Sequence, residues 1–158
     1  MTKAKFGRLV AGVALVLGLS ATAQAQNVTD VVELTKQAAE TQRQAVVTKA
    51  MRFSEAESAA FWPVYHKYRA DMLVQLDRLI ALARDYAENM DNLSDEQAAH
   101  ILDQYLDIEL KSNKVKRKYV KQYRKVLPEK QVTRFYQIDN KLDAVVRFDA
   151  ARTVPLVE

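Results

Sequence analysis

The chain has 158 residues, 24 Lys and Arg against 20 Asp and Glu, a formal net charge of +4 and no cysteine. That length suggests one domain. Without cysteine, disulfide bonds, thiol chemistry, thiolate metal sites and a lipid-modified cysteine at a cleavage point are all excluded.

The first predicted element is a secretion signal. Lys3, Lys5 and Arg8 form a positive start, Leu9 to Leu19 is apolar, and Ala21-Thr22-Ala23 and Ala23-Gln24-Ala25 offer small-x-small cleavage sites. The apolar run is shorter than the roughly 20 residues that a membrane-spanning helix needs, and no later run replaces it. Residues 1–25 are therefore expected to be a Sec-type signal peptide, cleaved to leave a single all-helical domain, 26–158, in the periplasm with no integral membrane span. Cleavage removes three bases and no acid, which brings the net charge to +1. Nucleic-acid binding rests on a basic excess and on access to the polymer, so it loses its support. Gly7, Gly12 and Gly18, the three glycines, all lie in the signal. Hairpin turns, phosphate-cradling loops and dinucleotide fingerprints depend on glycine, so an all-β fold and those nucleotide sites are not expected.

Four helices follow in chain order. The first is predicted over about 29–50, capped by Asn27 or Thr29, with sparse apolar positions at Val32, Ala39 and Val46. The second, about 54–90, opens with the capping box Ser54-Glu55-Ala56-Glu57. Its apolar face runs through Phe61, Tyr65, Tyr68, Met72, Leu76, Leu79, Ala83, Tyr86 and Met90, in steps of three and four. Pro63 cannot donate to the carbonyl of Ala59, so a kink or short break is expected there. The third helix, about 94–126, opens with a second capping box, Ser94-Asp95-Glu96-Gln97. Ile101, Tyr105, Ile108, Ser112, Val115, Tyr119, Gln122 and Val126 follow a seven-residue repeat that suits an antiparallel seam against the second helix. The fourth, about 128–148, starts at Pro128 and buries Phe135, Ile138, Leu142 and Val145, with Asp143 and Arg147 placed to pair. Residues 153–158 read as a loose tail after Pro155. The expected fold is all-α: an elongated antiparallel hairpin of about four helices.

Charge is segregated along the chain. Asp85 to Glu109 holds eight acids and no Lys or Arg, whereas Lys111 to Arg134 holds ten bases and the single acid Glu129. Lys111, Lys114, Lys118, Lys121 and Lys125 form a stripe in steps of three and four, flanked by Arg117 and Arg124. Two readings stay open: a solvated face that complements the negative end of the helix, and a surface for anionic or mixed-charge partners. The cluster Phe61, Trp62, Tyr65 and Tyr68 likewise reads either as core or as an exposed patch for a partner chain. Phe61, Trp62 and Tyr65 therefore join the basic residues as candidate partner-binding positions. His66 and His100 are far apart in sequence and neither has a second imidazole one turn away, so no metal site is expected. No cofactor and no catalytic residue is predicted, because no nucleophile–base arrangement or activated lysine stands out.

Two of the helix starts resemble a known family. Leu93-Ser94-Asp95-Glu96-Gln97 nearly matches the L-T-x-x-Q signature of Spy/CpxP-type periplasmic proteins, with Ser for Thr. Phe53-Ser54-Glu55-Ala56-Glu57 is a looser match, and Leu127-Pro128-Glu129-Lys130-Gln131 resembles the family's L-T-P-E-Q without the Thr. The similarity covers roughly 29–148, and the histidine-rich and cysteine-containing segments of the zinc-responsive relatives are missing. The resemblance implies a cradle-like antiparallel homodimer that holds unfolded or misfolded envelope proteins without ATP. Two alternatives stand beside it: a regulatory adaptor for the periplasmic sensor domain of an envelope-stress histidine kinase, and a structural or membrane-surface helical protein.

Overall fold

A computed structural model describes residues 21–151 and 154–157, with side chains described from Glu33 to Phe148, at Ala151 and in 154–157. The positive and apolar parts of the expected signal lie outside the described residues. Among those described, the chain is all-α: α1 (Ala21–Met51), α2 (Glu55–Asn89), a 3-10 turn (Met90–Asn92), α3 (Asp95–Tyr123) and α4 (Glu129–Ala151). No described helix is long and apolar enough to cross a membrane. The described residues divide into two units, the first ending at Gln42 and the second starting at Arg43.

In the first unit the described side chains of α1 are mostly exposed, with Lys36 and Glu40 half-buried. Leu34 is 64% exposed, and short-range bonds such as Lys36 Nζ to Glu33 Oε2 at 3.0 Å decorate the surface. Asn27 and Thr29 lie within the described helix, so neither caps it, and the helix runs through the expected cleavage point. Alanines at 21, 23 and 25 are strong helix formers and favour helix ahead of Asn27.

The second unit holds the core. Both serine capping boxes form: Glu57 N donates to Ser54 Oγ while Ser54 N donates to Glu57 Oε2, and Gln97 and Ser94 repeat the exchange. Two orphan amides at each helix start are thereby satisfied. Gln131 Nε2 also reaches Glu57 Oε1 at 3.4 Å, which ties the start of α4 to the start of α2. Leu127 is buried beneath that junction, whereas Phe53 is half-buried with its ring 4.6 Å from Phe61.

Contacts between α2 and α3 descend one helix as they ascend the other: Phe61 meets Tyr123, Asp71 meets Lys118, and Arg78 meets Asp107. The pair is the antiparallel hairpin that the seven-residue pattern predicts. Its seam drifts, however. Ile108, Ser112, Tyr119 and Tyr123 are buried, while Tyr105 and Gln122 are exposed. A straight helix turns once every 3.6 residues, so a strict seven-residue pattern slips off the seam, and the last contact passes from Gln122 to Tyr123. α2 is continuous through Pro63, which faces solvent, so the expected break does not occur. Phe61 and Tyr65 anchor the turn on either side of the proline in the core, and that packing outweighs one missing hydrogen bond.

α4 runs antiparallel to α3, with Tyr136 Oη donating to the Lys116 carbonyl and Arg147 bound to Glu109 at 3.0 Å. The expected Asp143–Arg147 pair is therefore replaced by bonds to other helices. Val145 is 63% exposed instead of buried, and Asp139, outside the predicted apolar face, is fully buried. The last turns of α1 enter the same core through Arg43, Val47 and Met51, whereas Ala39 and Val46 face solvent. Arg134 donates twice to the Ala50 carbonyl, capping the end of α1. Tyr86 Oη donates to the Pro155 carbonyl at 3.0 Å, a contact between α2 and the exposed tail.

The α1–α2 connection turns at Arg52, whose φ of 53° is left-handed. An L-residue carries a cost of about 1–2 kcal/mol there, and a glycine does not. Arg52→Gly is expected to raise the unfolding free energy by about 0.5–1 kcal/mol, less than the full strain because glycine also frees the unfolded chain. Urea denaturation followed by circular dichroism checks this; an unchanged or lower midpoint would show that the Arg52 side chain itself holds the turn.

Candidate functional site: the outward face of helix α3

α3 is surrounded on three sides. Ile108, Ser112 and Tyr119 face inward. Asp107 and Lys118 face α2, bound to Arg78 at 2.7 Å and Asp71 at 2.8 Å. Lys116 and Glu109 face α4, bound to Asp143 at 2.7 Å and Arg147 at 3.0 Å. Successive residues advance by about 100°, so the fourth side carries Leu102, Leu106 and Leu110, followed by Asn113, Lys114, Arg117, Lys121 and Arg124. The three leucines are 56%, 53% and 53% exposed. A row of leucines four residues apart thus passes, on one helical face, into a row of cations.

The lysine stripe divides when placed on this frame. Lys111 binds Asp107 at 2.9 Å, Lys118 binds Asp71 and lies over the Tyr119 ring, and Arg124 binds Glu129 at 2.7 Å. The Asp71 carboxylate beside Lys118 holds its ammonium above the ordinary lysine value, and Lys118 in turn holds Asp71 below the carboxylate range. Lys114, Arg117, Lys121 and Lys125 are exposed with no carboxylate at ion-pair distance among the described residues. These four, rather than the whole stripe, are available to a partner.

The aromatic candidates separate as clearly. Phe61 is 0% exposed and Tyr65 2%, both inside a cluster with Tyr68, Tyr123 and Phe135. Neither can meet a partner while the fold is intact, so the exposed-patch reading fails for them. Trp62 is half-buried, with its indole N–H donating to Ser58 Oγ at 3.0 Å. Sequence reasoning missed Leu102, Leu106 and Leu110. Their four-residue spacing was visible, but it lies out of step with the inward residues Ile101 and Ile108.

A second feature went unseen: a buried ionic network beneath the surface. Arg43 donates to Asp139 and to Asp143, both at 2.6 Å. Tyr68 Oη donates to the other Asp139 oxygen at 2.6 Å, and Arg69 stands 4.0 Å away. Burial, then the neighbouring Asp143 carboxylate, push Asp139 above its ordinary value against the pull of Tyr68, Arg43 and Arg69. Burial also pushes Asp143 upward, but Lys116 and Arg43 overcome it and hold this carboxyl low. Burial and the Asp139 charge raise Tyr68, so its hydroxyl stays protonated and remains a donor. Every charge in the network faces a partner inside the fold, which gives it a structural rather than a chemical role. Among the described residues no three His, Cys, Asp or Glu side chains gather where they could hold a metal ion. His100 is exposed, with Gln104 Nε2 2.7 Å from its Nε2, and His66 is exposed beside Trp62.

The fold and the site together define an all-α helical hairpin with one exposed apolar-to-basic helical face. Compared with family models, curated proteins and solved structures, the chain finds no match in any of the three.

Proposed function

We propose that the processed chain is an exported, ATP-independent binding protein of the cell envelope that transiently holds unfolded or misfolded proteins, and that it acts by binding and not by catalysis. The observation that carries this reading is the row Leu102, Leu106, Leu110, Lys114, Arg117 and Lys121 on a helix whose other faces are already occupied. The cations supply long-range attraction that speeds encounter with acidic or mixed-charge chains. The leucines then remove apolar surface of the client from water. Three half-exposed leucines offer little area, so the hold stays weak and reversible, which suits a periplasm without ATP. The signal-like start of the sequence and the resemblance to Spy/CpxP-type proteins support the same reading.

The test is suppression of aggregation of several unrelated proteins by the purified chain, at near-stoichiometric ratio and without ATP. Suppression is expected, with a capture rate that falls as salt rises. Reversing the charges at Lys114, Arg117 and Lys121 to Glu should slow capture by about tenfold or more at low salt. No suppression of any client would defeat the reading. Tight binding of one folded partner without effect on clients would favour a regulatory adaptor, and co-sedimentation with anionic liposomes alone would favour a membrane-surface protein.

A further inference from the structure

The outward face of α3 is patterned along its length as well as across it. Leu102, Leu106 and Leu110 occupy its first half, and Lys114, Arg117, Lys121 and Arg124 continue the line toward its end. From Leu102 to Arg124 the row spans about 33 Å. Its repeat is one helical turn, about 5.4 Å. The side chains on one face of an extended segment repeat at about 6.7 Å, so a strand loses register with this row within a few contacts. A second helix keeps register, because ridges three and four residues apart seat into matching grooves. Lys114, Arg117 and Lys121, with no carboxylate of their own at ion-pair distance among the described residues, set the charge that the partner must bring.

We infer that this face seats an amphipathic helix that is acidic in its N-terminal half and leucine-rich in its C-terminal half, laid antiparallel to α3. The inference rests on the binding-surface reading above and specifies its preferred occupant. The antiparallel direction places the partner's carboxylates on Lys114, Arg117 and Lys121. The same direction puts those carboxylates near the partner's own helix N-terminus, where the helix dipole favours negative charge. The apolar halves then meet at Leu102, Leu106 and Leu110, as in helix-on-groove recognition. An anionic bilayer fits less well, because the leucines are flanked on the same helix by the exposed acids Asp95, Glu96 and Asp103.

The experiment uses the purified protein and three labelled peptides of about 22 residues, long enough to cover the row. The first carries glutamates on one face of its N-terminal half and leucines on the same face of its C-terminal half. The second reverses that order, and the third is the first with a central proline that breaks the helix. Fluorescence anisotropy should show the first peptide binding at least about tenfold more tightly than the other two. The double substitution Leu106→Glu, Leu110→Glu should abolish its binding while the far-ultraviolet circular dichroism stays unchanged, since both positions are solvent-facing. Equal binding of the proline-broken peptide would overturn the inference in favour of extended clients. Absence of binding to all three peptides would also overturn it. The aggregation assay on the same preparation then tells whether the broader reading survives. A dimer in sedimentation that the double substitution dissociates would give the face to a second copy. Capture by anionic vesicles that the same substitution removes would give it to a membrane, and either result overturns the inference.

Discussion

Replacing Arg43 with Met is expected to cost about 3–5 kcal/mol of stability at neutral pH, the range for removing one partner of a buried ion pair. The side chain is 10% exposed and its guanidinium spans two carboxylates, Asp139 and Asp143, at 2.6 Å each. Without it, two acids on adjacent turns of α4 face each other in a poorly hydrated site, with Lys116, Tyr68 and the more distant Arg69 left to balance them. The loss has a defined pH dependence. Asp139 is held above its ordinary value and Asp143 below it, so as pH falls the arginine loses its charge partners, first at Asp139 and then at Asp143. The difference between wild type and Arg43→Met should therefore shrink as pH drops through the carboxylate range and be smallest when both acids are protonated. Adding Asp139→Asn to Arg43→Met removes one stranded charge and should recover part of the loss. Chemical denaturation of the single and double variants at neutral and acid pH measures this coupling. A loss below about 1 kcal/mol would mean that water reaches the network and that the ion pairs behave as surface ones.

Truncating Phe135 to Ala is expected to cost a similar amount, about 3–5 kcal/mol, through lost burial and the cavity left behind. Phe135 is 0% exposed, and its ring centroid lies 4.7 Å from Tyr123, 5.2 Å from Phe61 and 5.2 Å from Tyr136. One residue on α4 thus bridges α2 and α3, and several of these pairs take the edge-on geometry that aromatic quadrupoles prefer. Because typical domains are stable by about 5–15 kcal/mol, the alanine variant should sit near the unfolding threshold at physiological temperature. Phe135→Leu, which keeps most of the volume, should lose less. Thermal melts of both variants decide the matter, and near-wild-type behaviour of the alanine variant would show that the surrounding rings collapse to fill the space.

These variants also separate stability from binding. Arg43 and Phe135 lie beneath the outward face of α3 and contribute nothing to its row of leucines and cations. A loss of holding activity in either should track the fraction unfolded, whereas charge reversal at Lys114, Arg117 and Lys121 should change capture without changing the melt.

The helices were legible because their signals are local. A serine with Glu or Gln three residues on satisfies its own helix start, as Ser54 with Glu57 and Ser94 with Gln97 do, whatever the rest of the chain does. The faces of α2 and α3 were legible because a period near 3.6 needs only one chain to be read. The antiparallel pairing was read from the seven-residue repeat of α3 set against the apolar face of α2. The absence of glycine after Gly18 pointed away from β-structure for the same local reason, yet it did not show that Arg52 would adopt the conformation a glycine usually takes.

What required the packed structure depends on contacts between residues far apart in sequence. Arg43 and Asp139 are 96 positions apart, and nothing near either one in the chain marks it as buried. A charged residue reads as surface until the partner that neutralises it is placed beside it. The same holds in reverse for Leu102, Leu106 and Leu110, whose outward position is not apparent until α2 and α4 occupy the other sides of α3 and leave these three facing water. Local pattern sets which segments coil, because backbone hydrogen bonds and caps close within a few residues. Which of the resulting faces is buried is a matter of three-dimensional competition for neighbours, and that competition placed Phe61, Tyr65, Tyr68, Tyr123 and Phe135 inside and left a mixed apolar and cationic row outside.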